Sequence, residues 1–301
     1  MKISEEKRNA IIAYEGFLRR ASNLYHPFML KGSFVTHQYF PNPEDRIPND
    51  LDWLYLNPLN KNIKDVSKVL DEWMIEVSEM HENDGVDFTS FRENAFWRKI
   101  DYAMRDDFPT VNTDLDCWVD GESLYPCKID ISYNLPVDVP PEPLFYTPLR
   151  GELFIIPNTV PLALQVSWKL HQTLVRPRFK DLFDLMHLVM HPTFTPEVFQ
   201  QSLKALVKEC ATDNVHPGTL RYLLYNEWDK LFVDLRVDKV WDNWRHDKGP
   251  WETHIPLEDK AKNITDADKL PVGITEFIEQ FKEAFMIAGF YDIDLKTIHR
   301  L

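Results

Sequence analysis

The segment formed by residues 28–55 constrains the fold more than any other part of the chain. It holds two short apolar runs, residues 28–30 and 51–56, whose length and composition are typical of buried β-strands. Gly32 and Ser33 follow the first run and precede a segment, starting near Phe34, that is compatible with a helix. We therefore expect a strand, a helix N-terminus and a second strand within one compact element.

Two aspartates, Asp50 and Asp52, lie at the start of the second strand. Because alternate residues of a strand point to the same face, both carboxylates should face the helix N-terminus that carries Gly32 and Ser33. A helix N-terminus attracts phosphate, and two close carboxylates favour a bound cation, usually Mg²⁺ when phosphate is present. Taken alone, an Asp-x-Asp pair is more often a solvated strand end, and this segment fits many phosphate-handling proteins.

The clearest local prediction is a β-hairpin, with strands at residues 111–119 and 124–132 joined by a polar turn at residues 120–123. Asp130 lies between two isoleucines of the second strand, so its side chain should point to the opposite face. Strands disfavour a carboxylate in this position. A third carboxylate for the metal site would explain it.

These carboxylates together suggest nucleotidyl transfer. Asp50 and Asp52 would hold Mg²⁺ against a triphosphate, and Asp130 would complete the metal site and help to deprotonate an attacking hydroxyl.

Composition narrows the class of protein further. The 301 residues carry 34 Lys+Arg against 48 Asp+Glu, a net charge of -14. This excess of acid argues against nucleic-acid binding by bulk charge, although a local basic patch remains compatible with it. The 3 cysteines lack metal-ligand spacing and indicate reduced thiols. With no signal peptide and no membrane-spanning run, we expect a cytoplasmic protein.

A proline-rich segment at residues 136–148 predicts a boundary between two domains, residues 1–157 and 158–301. The first should hold the sheet, and the second should be mostly helical, which makes an α+β fold. The predicted helices of the second domain cover residues 161–173, 177–190, 195–210, 219–235 and 275–288. Residues 242–273 are predicted to form a long surface loop.

A cluster of charged residues occupies the first two predicted helices of the second domain. Its members are Lys169, Arg176, Arg178, Lys180, Asp181 and Asp184. Asp181 and Asp184 share one helix face, and a helical hairpin would bring Lys169 close to one of them. Lys169 would then reach nucleotide phosphates while an aspartate fixes its direction. The alternative is an ordinary salt bridge between helices, which is worth little at a surface.

Four sequence blocks resemble, in order and rough spacing, the AbiEii-type nucleotidyltransferase toxin family. They read Leu30-Lys31-Gly32-Ser33; Arg46-x-x-x-Asp50-x-Asp52; Lys128-Ile129-Asp130-Ile131-Ser132; and Lys169-Leu170-His171 with Arg178-Phe179-Lys180-Asp181-Leu182-Phe183-Asp184-Leu185. The resemblance covers residues 28–188. It implies a minimal nucleotidyltransferase mixed sheet with flanking helices, similar to that of DNA polymerase β, and a helical C-terminal domain that completes the active site.

The resemblance also implies roles for single residues. Lys31, Gly32, Ser33, Lys169, Arg176 and Arg178 would bind the nucleotide; Asp50, Asp52 and Asp130 would bind metal; Lys169, Asp181 and Asp184 would join the three metal ligands as catalytic residues. The family more often has Gly-Gly-Thr or Gly-Gly-Ser at the phosphate turn. This chain has one glycine followed by Ser33 and Phe34, so we expect it to differ from its relatives there.

The function implied by the resemblance is that of a toxin from a toxin–antitoxin or abortive-infection system. The enzyme would use Mg²⁺, or Mn²⁺, to transfer NMP from NTP to an RNA 3′ end, such as a tRNA acceptor stem. Its partners would be NTP, tRNA and a cognate antitoxin, with no membrane. Two alternatives stay open: transfer to a protein hydroxyl or a small molecule, and a non-catalytic nucleotide-binding protein of the same fold.

Two weaker signals have ordinary explanations. Asp184, His187 and His191 have a spacing that could place a metal on a helix, but satisfied histidines are commoner. Three tryptophans in or near the predicted loop could stack on bases or, more simply, pin the loop to the helices. They are Trp241, Trp244 and Trp251.

Overall fold

A computed structural model describes residues 4–59, 63–100, 108–232, 236–246, 264, 267–296 and 298–300. The chain divides into two compact units. The sheet unit comprises Lys2–Gln38 and Pro48–Pro161, and the helical unit comprises Tyr39–Ile47 and Leu162–Leu301. The sequence did not predict that residues 39–47 would group with the later helices.

The sheet unit is built on one mixed sheet. Its described strands are β1 (Phe28–Lys31), β2 (Leu51–Tyr55), β3 (Val86–Phe88), β4 (Arg98–Ile100), β5 (Thr110–Val119), β6 (Ser123–Tyr133), β7 (Glu142–Tyr146) and β8 (Phe154–Thr159). They follow the order β3-β5-β6-β2-β1-β8-β7, and β4 pairs with β5. β2 is parallel to β6 and β1 is parallel to β8, whereas the other pairings among the described strands are antiparallel. The predicted mixed sheet is therefore confirmed.

Helices accompany the sheet and make up most of the helical unit. The described α-helices are α1 (Glu5–Ser22), α2 (Ser33–Thr36), α3 (Ile63–Glu79), α4 (Leu162–Val175), α5 (Phe179–Met190), α6 (Pro196–Thr212), α7 (Arg221–Leu224), α8 (Val237–Arg245) and α9 (Ile274–Ile287). Along the described residues, none of these helices is both long enough and apolar enough to cross a membrane.

Aromatic packing fixes which face of the sheet is covered by α1 and α3. Trp53 of β2 lies 6.4 Å from Phe17 of α1 and 5.2 Å from Trp73 of α3, measured between ring centroids. Because side chains alternate along a strand, Asp52 points to the opposite face.

The sequence predicted the long hairpin of β5 and β6 and missed the shorter strands. One of these shorter strands, β3, ends at Phe88, and a 3-10 helix covers Phe91–Glu93 soon after it. Strand β7 lies inside the proline-rich segment, where Pro143 is a strand residue. Proline is tolerated there because β7 is at the edge of the sheet and needs fewer backbone donors.

Phe179, the first residue of α5, lies at the centre of the aromatic core of the helical unit. Its ring stacks on Phe232 at 5.1 Å and meets Trp241 edge-on at 5.2 Å. Trp244 is buried in the same core. Trp241 and Trp244 therefore pack inside the protein as part of α8, and Trp251 lies outside the described residues.

Two predictions for the helical unit are wrong. The helix predicted at residues 219–235 is broken, because α7 ends at Leu224 and Asn226 takes a left-handed conformation with φ 61°. The loop predicted at residues 242–273 begins inside α8, and residues 247–263 lie outside the described part of the chain.

Candidate active site

A row of polar side chains crosses one face of the sheet. The strand registers pair Lys31 with Asp52, Asp52 with Asp130, Asp130 with Asn112, and Asn112 with Arg98. Residues directly opposite each other on neighbouring strands point to the same face. The row, hereafter the polar row, therefore spans β1, β2, β6, β5 and β4 on the face opposite Trp53.

Asp52 and Asp130 form the acidic centre of this polar row. Both are half-buried, and their strands are neighbours, so their backbones are separated by about 4.8 Å. Lys31 Nζ lies 3.4 Å from Asp52 Oδ1 and supplies a positive charge. Two carboxylates this close repel each other, and a cation relieves that repulsion.

Gly32 packs directly against Asp52. Its φ of +73° lies in the left-handed region, and a Cβ added there would sit 2.1 Å from Asp52 Oδ2. Both observations require glycine. The neighbouring Ser33 begins α2, and its buried Oγ has no hydrogen-bond partner among the described residues. The predicted phosphate turn thus places an unsatisfied hydroxyl one residue from the backbone that touches Asp52.

Asp50 precedes β2 immediately and is half-buried. The Tyr14 hydroxyl donates to the Asn49 carbonyl at 2.8 Å and accepts from the Lys128 amide at 3.2 Å. Burial is the main cause that raises the pKa of Tyr14, and the charge of Asp50 adds to it. Tyr14 therefore stays neutral and ties the residues before β2 to β6.

The described residues bring Asp52 and Asp130 together but contain no group of three or more His, Cys, Asp or Glu side chains arranged to hold a metal. Mg²⁺ is commonly bound by one or two carboxylates together with substrate phosphates and water. The pair has the oxygen donors and the partial exposure that such an ion needs. The role of Asp50 as a metal ligand stays a prediction.

The charged cluster of the helical unit is a compact network around two buried aspartates. Asp184 receives Arg46 Nε on Oδ1 at 2.7 Å and Lys169 Nζ on Oδ2 at 2.7 Å. Asp181 receives Arg178 Nε at 2.6 Å and Lys169 Nζ at 3.3 Å. The predicted contact between Lys169 and the aspartates of α5 is present, and Lys169 touches both.

Electrostatics keeps both aspartates ionised. Burial by itself would raise the pKa of Asp184, but the charges and hydrogen bonds of Arg46 and Lys169 outweigh it and hold that pKa far below its usual value. Burial likewise opposes ionisation of Asp181, and Arg178 and Lys169 overcome it and lower its pKa. Three cations, Arg46, Lys169 and Arg178, thus contact the two carboxylates.

The remaining predicted residues of the helical unit lie around this network. Arg176 is exposed just after α4, and Lys180 is half-buried on α5, where its charge also lowers the pKa of Asp181. His187 stacks on Phe40 with ring centroids 3.9 Å apart. Asp184 is bound by Arg46 and Lys169, so the metal interpretation of Asp184, His187 and His191 gains no support from the described residues.

Sequence reasoning missed three residues of these sites. It quoted Arg46 without foreseeing its bond to Asp184, and it assigned no role to Tyr14 or Asn112. An arginine placed shortly before an Asp-x-Asp pair was a usable signal. Tyr14 gave none, because a tyrosine on the apolar face of a helix is ordinary core.

Comparison with known families identifies the chain. A family model described as a nucleotidyl transferase AbiEii toxin of a type IV toxin–antitoxin system matches residues 16–282. The chain belongs to this family. AbiEii membership makes it a nucleotidyltransferase, with a nucleotide as substrate and an antitoxin as the partner of the toxin. The family generally uses NTP and a divalent metal ion.

The fold agrees with that assignment. MenT4, a nucleotidyltransferase toxin from Mycobacterium tuberculosis H37Rv, has a similar structure with a TM-score of 0.56. The similarity covers 98% of this chain and 89% of MenT4 at 14% sequence identity. At this identity it supports the fold of this chain and nothing finer. No curated protein sequence matches the chain.

Proposed function

We propose that this AbiEii toxin is a Mg²⁺-dependent enzyme that transfers NMP from NTP to an RNA 3′ end, with the tRNA acceptor stem as the preferred acceptor. One observation carries the catalytic part of the proposal. Asp52 and Asp130 lie side by side on one face of neighbouring strands, and Gly32 allows the backbone to approach Asp52 closely.

Asp52 and Asp130 would hold the divalent ion, and Asp50 is the third candidate ligand. When bound, Mg²⁺ would neutralise the triphosphate and make its α-phosphorus easier to attack. Oxygen donors on a half-buried sheet face suit this ion, and NTP itself would supply further oxygens.

The residues of the chain contribute the remaining steps. Asp130 would accept the proton of the RNA hydroxyl as its oxygen attacks the α-phosphorus of NTP. The bond from that phosphorus to the bridging oxygen then breaks, and pyrophosphate leaves. Lys31 would offset the negative charge around Asp52, and the Ser33 hydroxyl would donate to a phosphate oxygen after rotation about χ1.

For the helical unit, we propose that Lys169 binds a nucleotide phosphate, with Arg176 and Arg178 as further nucleotide-binding residues. Asp181 and Asp184 are buried and fully engaged with cations, so they act as positioning residues for Lys169. The half-buried ammonium of Lys169, held by two aspartates, supports a role in binding an anion.

A transfer assay tests the proposal. The purified protein is incubated with each α-³²P-labelled NTP, Mg²⁺ and total RNA, beside Asp52→Ala. The matched control is Asp87→Ala, which removes an exposed aspartate from β3 of the same sheet. We expect label in a tRNA-sized band with the native protein and with Asp87→Ala, and none with Asp52→Ala.

Other outcomes have clear meanings. Label on protein in place of RNA would favour transfer to a protein hydroxyl. Transfer that persists in chelator would contradict the metal dependence. No label with any NTP or divalent ion would overturn the enzymatic reading of the site.

A further inference from the structure

The polar row continues past the acidic centre to an exposed arginine. Asn112 of β5 lies directly opposite Asp130, and Arg98 of β4 lies directly opposite Asn112. Two strand spacings separate Asp130 from Arg98, about 10 Å. Arg98 therefore lies on the same face as the proposed metal ligands, but too far along the sheet to share the same phosphate.

Arg98 is held in one orientation although it is 51% exposed. Its Nε donates to Asn112 Oδ1 at 2.9 Å, and its Nη2 donates to Asp114 Oδ2. Its guanidinium carbon lies 5.1 Å from the centroid of the Phe96 ring. A guanidinium carries five N–H groups, so these contacts leave donors for a further acceptor.

Stability does not explain this arrangement. Exposed ion pairs contribute only about 0.2–1 kcal/mol, partly because ordering two long side chains costs entropy. Here that entropy is already lost before any ligand arrives, so a ligand gains the full benefit of each new hydrogen bond. A fixed, exposed guanidinium in line with a catalytic centre is suited to a phosphate or a ribose hydroxyl.

We propose that Arg98 and Asn112 form a subsite for the sugar-phosphate backbone of the acceptor RNA, next to its terminal nucleotide. The inference rests on the proposed function for the nature of the acceptor. Asn112 Oδ1 is occupied by Arg98, so its amide N–H groups face away from Arg98 and can donate to the RNA. A net charge of -14 makes such local contacts necessary, since the protein as a whole repels RNA.

Binding and transfer are measured separately to test the subsite. The dissociation constant for 5′-labelled total tRNA is determined without NTP, and KM values for tRNA and NTP are determined in the transfer assay. The variants are Arg98→Ala, Arg98→Lys and Asn112→Ala. Arg92→Ala is the matched control, because Arg92 is 65% exposed and paired with Glu79 of α3, on the opposite side of the sheet.

Arg98→Ala should weaken tRNA binding and raise KM for tRNA about tenfold, with KM for NTP unchanged. Arg98→Ala should also lower the slope of log Kd against log salt concentration by the amount that corresponds to about one phosphate contact. Arg98→Lys keeps the charge but not the geometry of the guanidinium, so it should recover the native salt slope more fully than the native tRNA affinity. Asn112→Ala should weaken tRNA binding less than Arg98→Ala, and Arg92→Ala should match the native protein.

Each other result decides against one claim. Transfer to RNA with native tRNA affinity in Arg98→Ala overturns the subsite and leaves the proposed function standing. Binding of tRNA that depends on Arg98, in a protein that transfers no nucleotide, overturns the proposed function and leaves the subsite standing. Absence of tRNA binding by the native protein overturns the subsite. A shift in the pH profile of kcat in Arg98→Ala, with tRNA affinity unchanged, also overturns it. In that case Arg98 would be a positioning residue for Asp130.

Discussion

The two units hold pairs of aspartates in different electrostatic settings. Asp52 and Asp130 in the sheet unit are half-buried, and Lys31 forms a salt bridge with Asp52. Asp181 and Asp184 in the helical unit are almost completely buried and are surrounded by three cations. The first pair is therefore partly open to solvent, whereas the second is enclosed by its ion pairs.

This difference separates carboxylates suited to binding a metal ion from carboxylates suited to fixing the position of a neighbouring side chain. A half-buried pair of neighbouring carboxylates is relieved of repulsion by an added cation, so it is suited to a metal ion. A buried pair that is already bound by cations would lose these ion pairs to make room for a metal. The comparison supports our proposal that the sheet aspartates bind the metal ion and that the aspartates of α5 position Lys169.

The largest expected effect is on activity. Asp130→Asn keeps the shape of the side chain and removes its charge, so transfer should fall by about 10²–10³-fold or more. The free energy of unfolding should stay the same or rise slightly, because repulsion with Asp52 is removed. Activity and urea unfolding are measured together, with Asp116→Asn as the control for an exposed aspartate on the adjacent strand. A large loss of stability would mean that Asp130 is structural.

Asp184→Asn should show the opposite pattern. It leaves Arg46 and Lys169 buried beside a neutral side chain, which typically costs about 3–5 kcal/mol of unfolding free energy. Urea unfolding of Asp184→Asn is compared with that of Asp229→Asn, which changes an exposed aspartate of the helical unit. If Asp184→Asn unfolds at the native midpoint yet loses transfer activity, Asp184 is a catalytic residue and the comparison between the pairs fails.

Glu15 extends the comparison to a buried carboxylate that forms no salt bridge with any residue in the described part of the chain. It is 3% exposed and accepts hydrogen bonds from the Leu149 amide and the Tyr146 hydroxyl. Burial raises the pKa of Glu15 from 4.5 to about 7. Because the folded state holds this proton more tightly than the unfolded state, Glu15 stabilises the fold below pH 4.5, and that contribution is lost as pH rises towards 7.

The loss should amount to about 3 kcal/mol between pH 4.5 and pH 7. Asp181 and Asp184 have lowered pKa values, so their contribution is lost in the other direction, as pH falls below 3.8. Urea unfolding at several pH values checks the sign. Glu15→Gln should remove this part of the pH dependence, and the exposed Glu72→Gln should leave it intact. Equal slopes in all three proteins would show that Glu15 is already ionised.

Local sequence signals predicted those features of the candidate site that lie within one strand or one turn. Alternation predicted the side of the strand on which Asp52 and Asp130 lie, and the glycine before Ser33 predicted the turn. The register that sets Asp52 opposite Asp130 depends on the parallel pairing of β2 with β6, which no local pattern encodes. For the same reason the alignment of Arg98 with this pair could not be predicted.

For the fold as well, local features were predicted and long-range contacts were not. A helix with a clear cap was predicted well: the helix predicted at residues 195–210 is α6, and the Thr195 side chain caps it by accepting from the Val198 amide. The bond between Arg46 and Asp184 joins residues 138 positions apart and needed the three-dimensional structure. The break at Asn226 was missed because asparagine takes a left-handed conformation without a glycine to announce it.

The smallest expected effect is that of removing the Tyr14 hydroxyl, a neutral group that fixes the backbone next to Asp50. The Tyr14 hydroxyl bridges the Asn49 carbonyl and the Lys128 amide, and Tyr14→Phe leaves both without it. We expect a loss of about 1–2 kcal/mol in unfolding free energy and a several-fold fall in kcat, because Asp50 follows Asn49 directly. Tyr25→Phe, at a fully exposed tyrosine, is the control for both measurements. A variant that loses stability but keeps its kcat would show that the position of Asp50 does not matter for transfer, and the metal function would then rest on Asp52 and Asp130 alone.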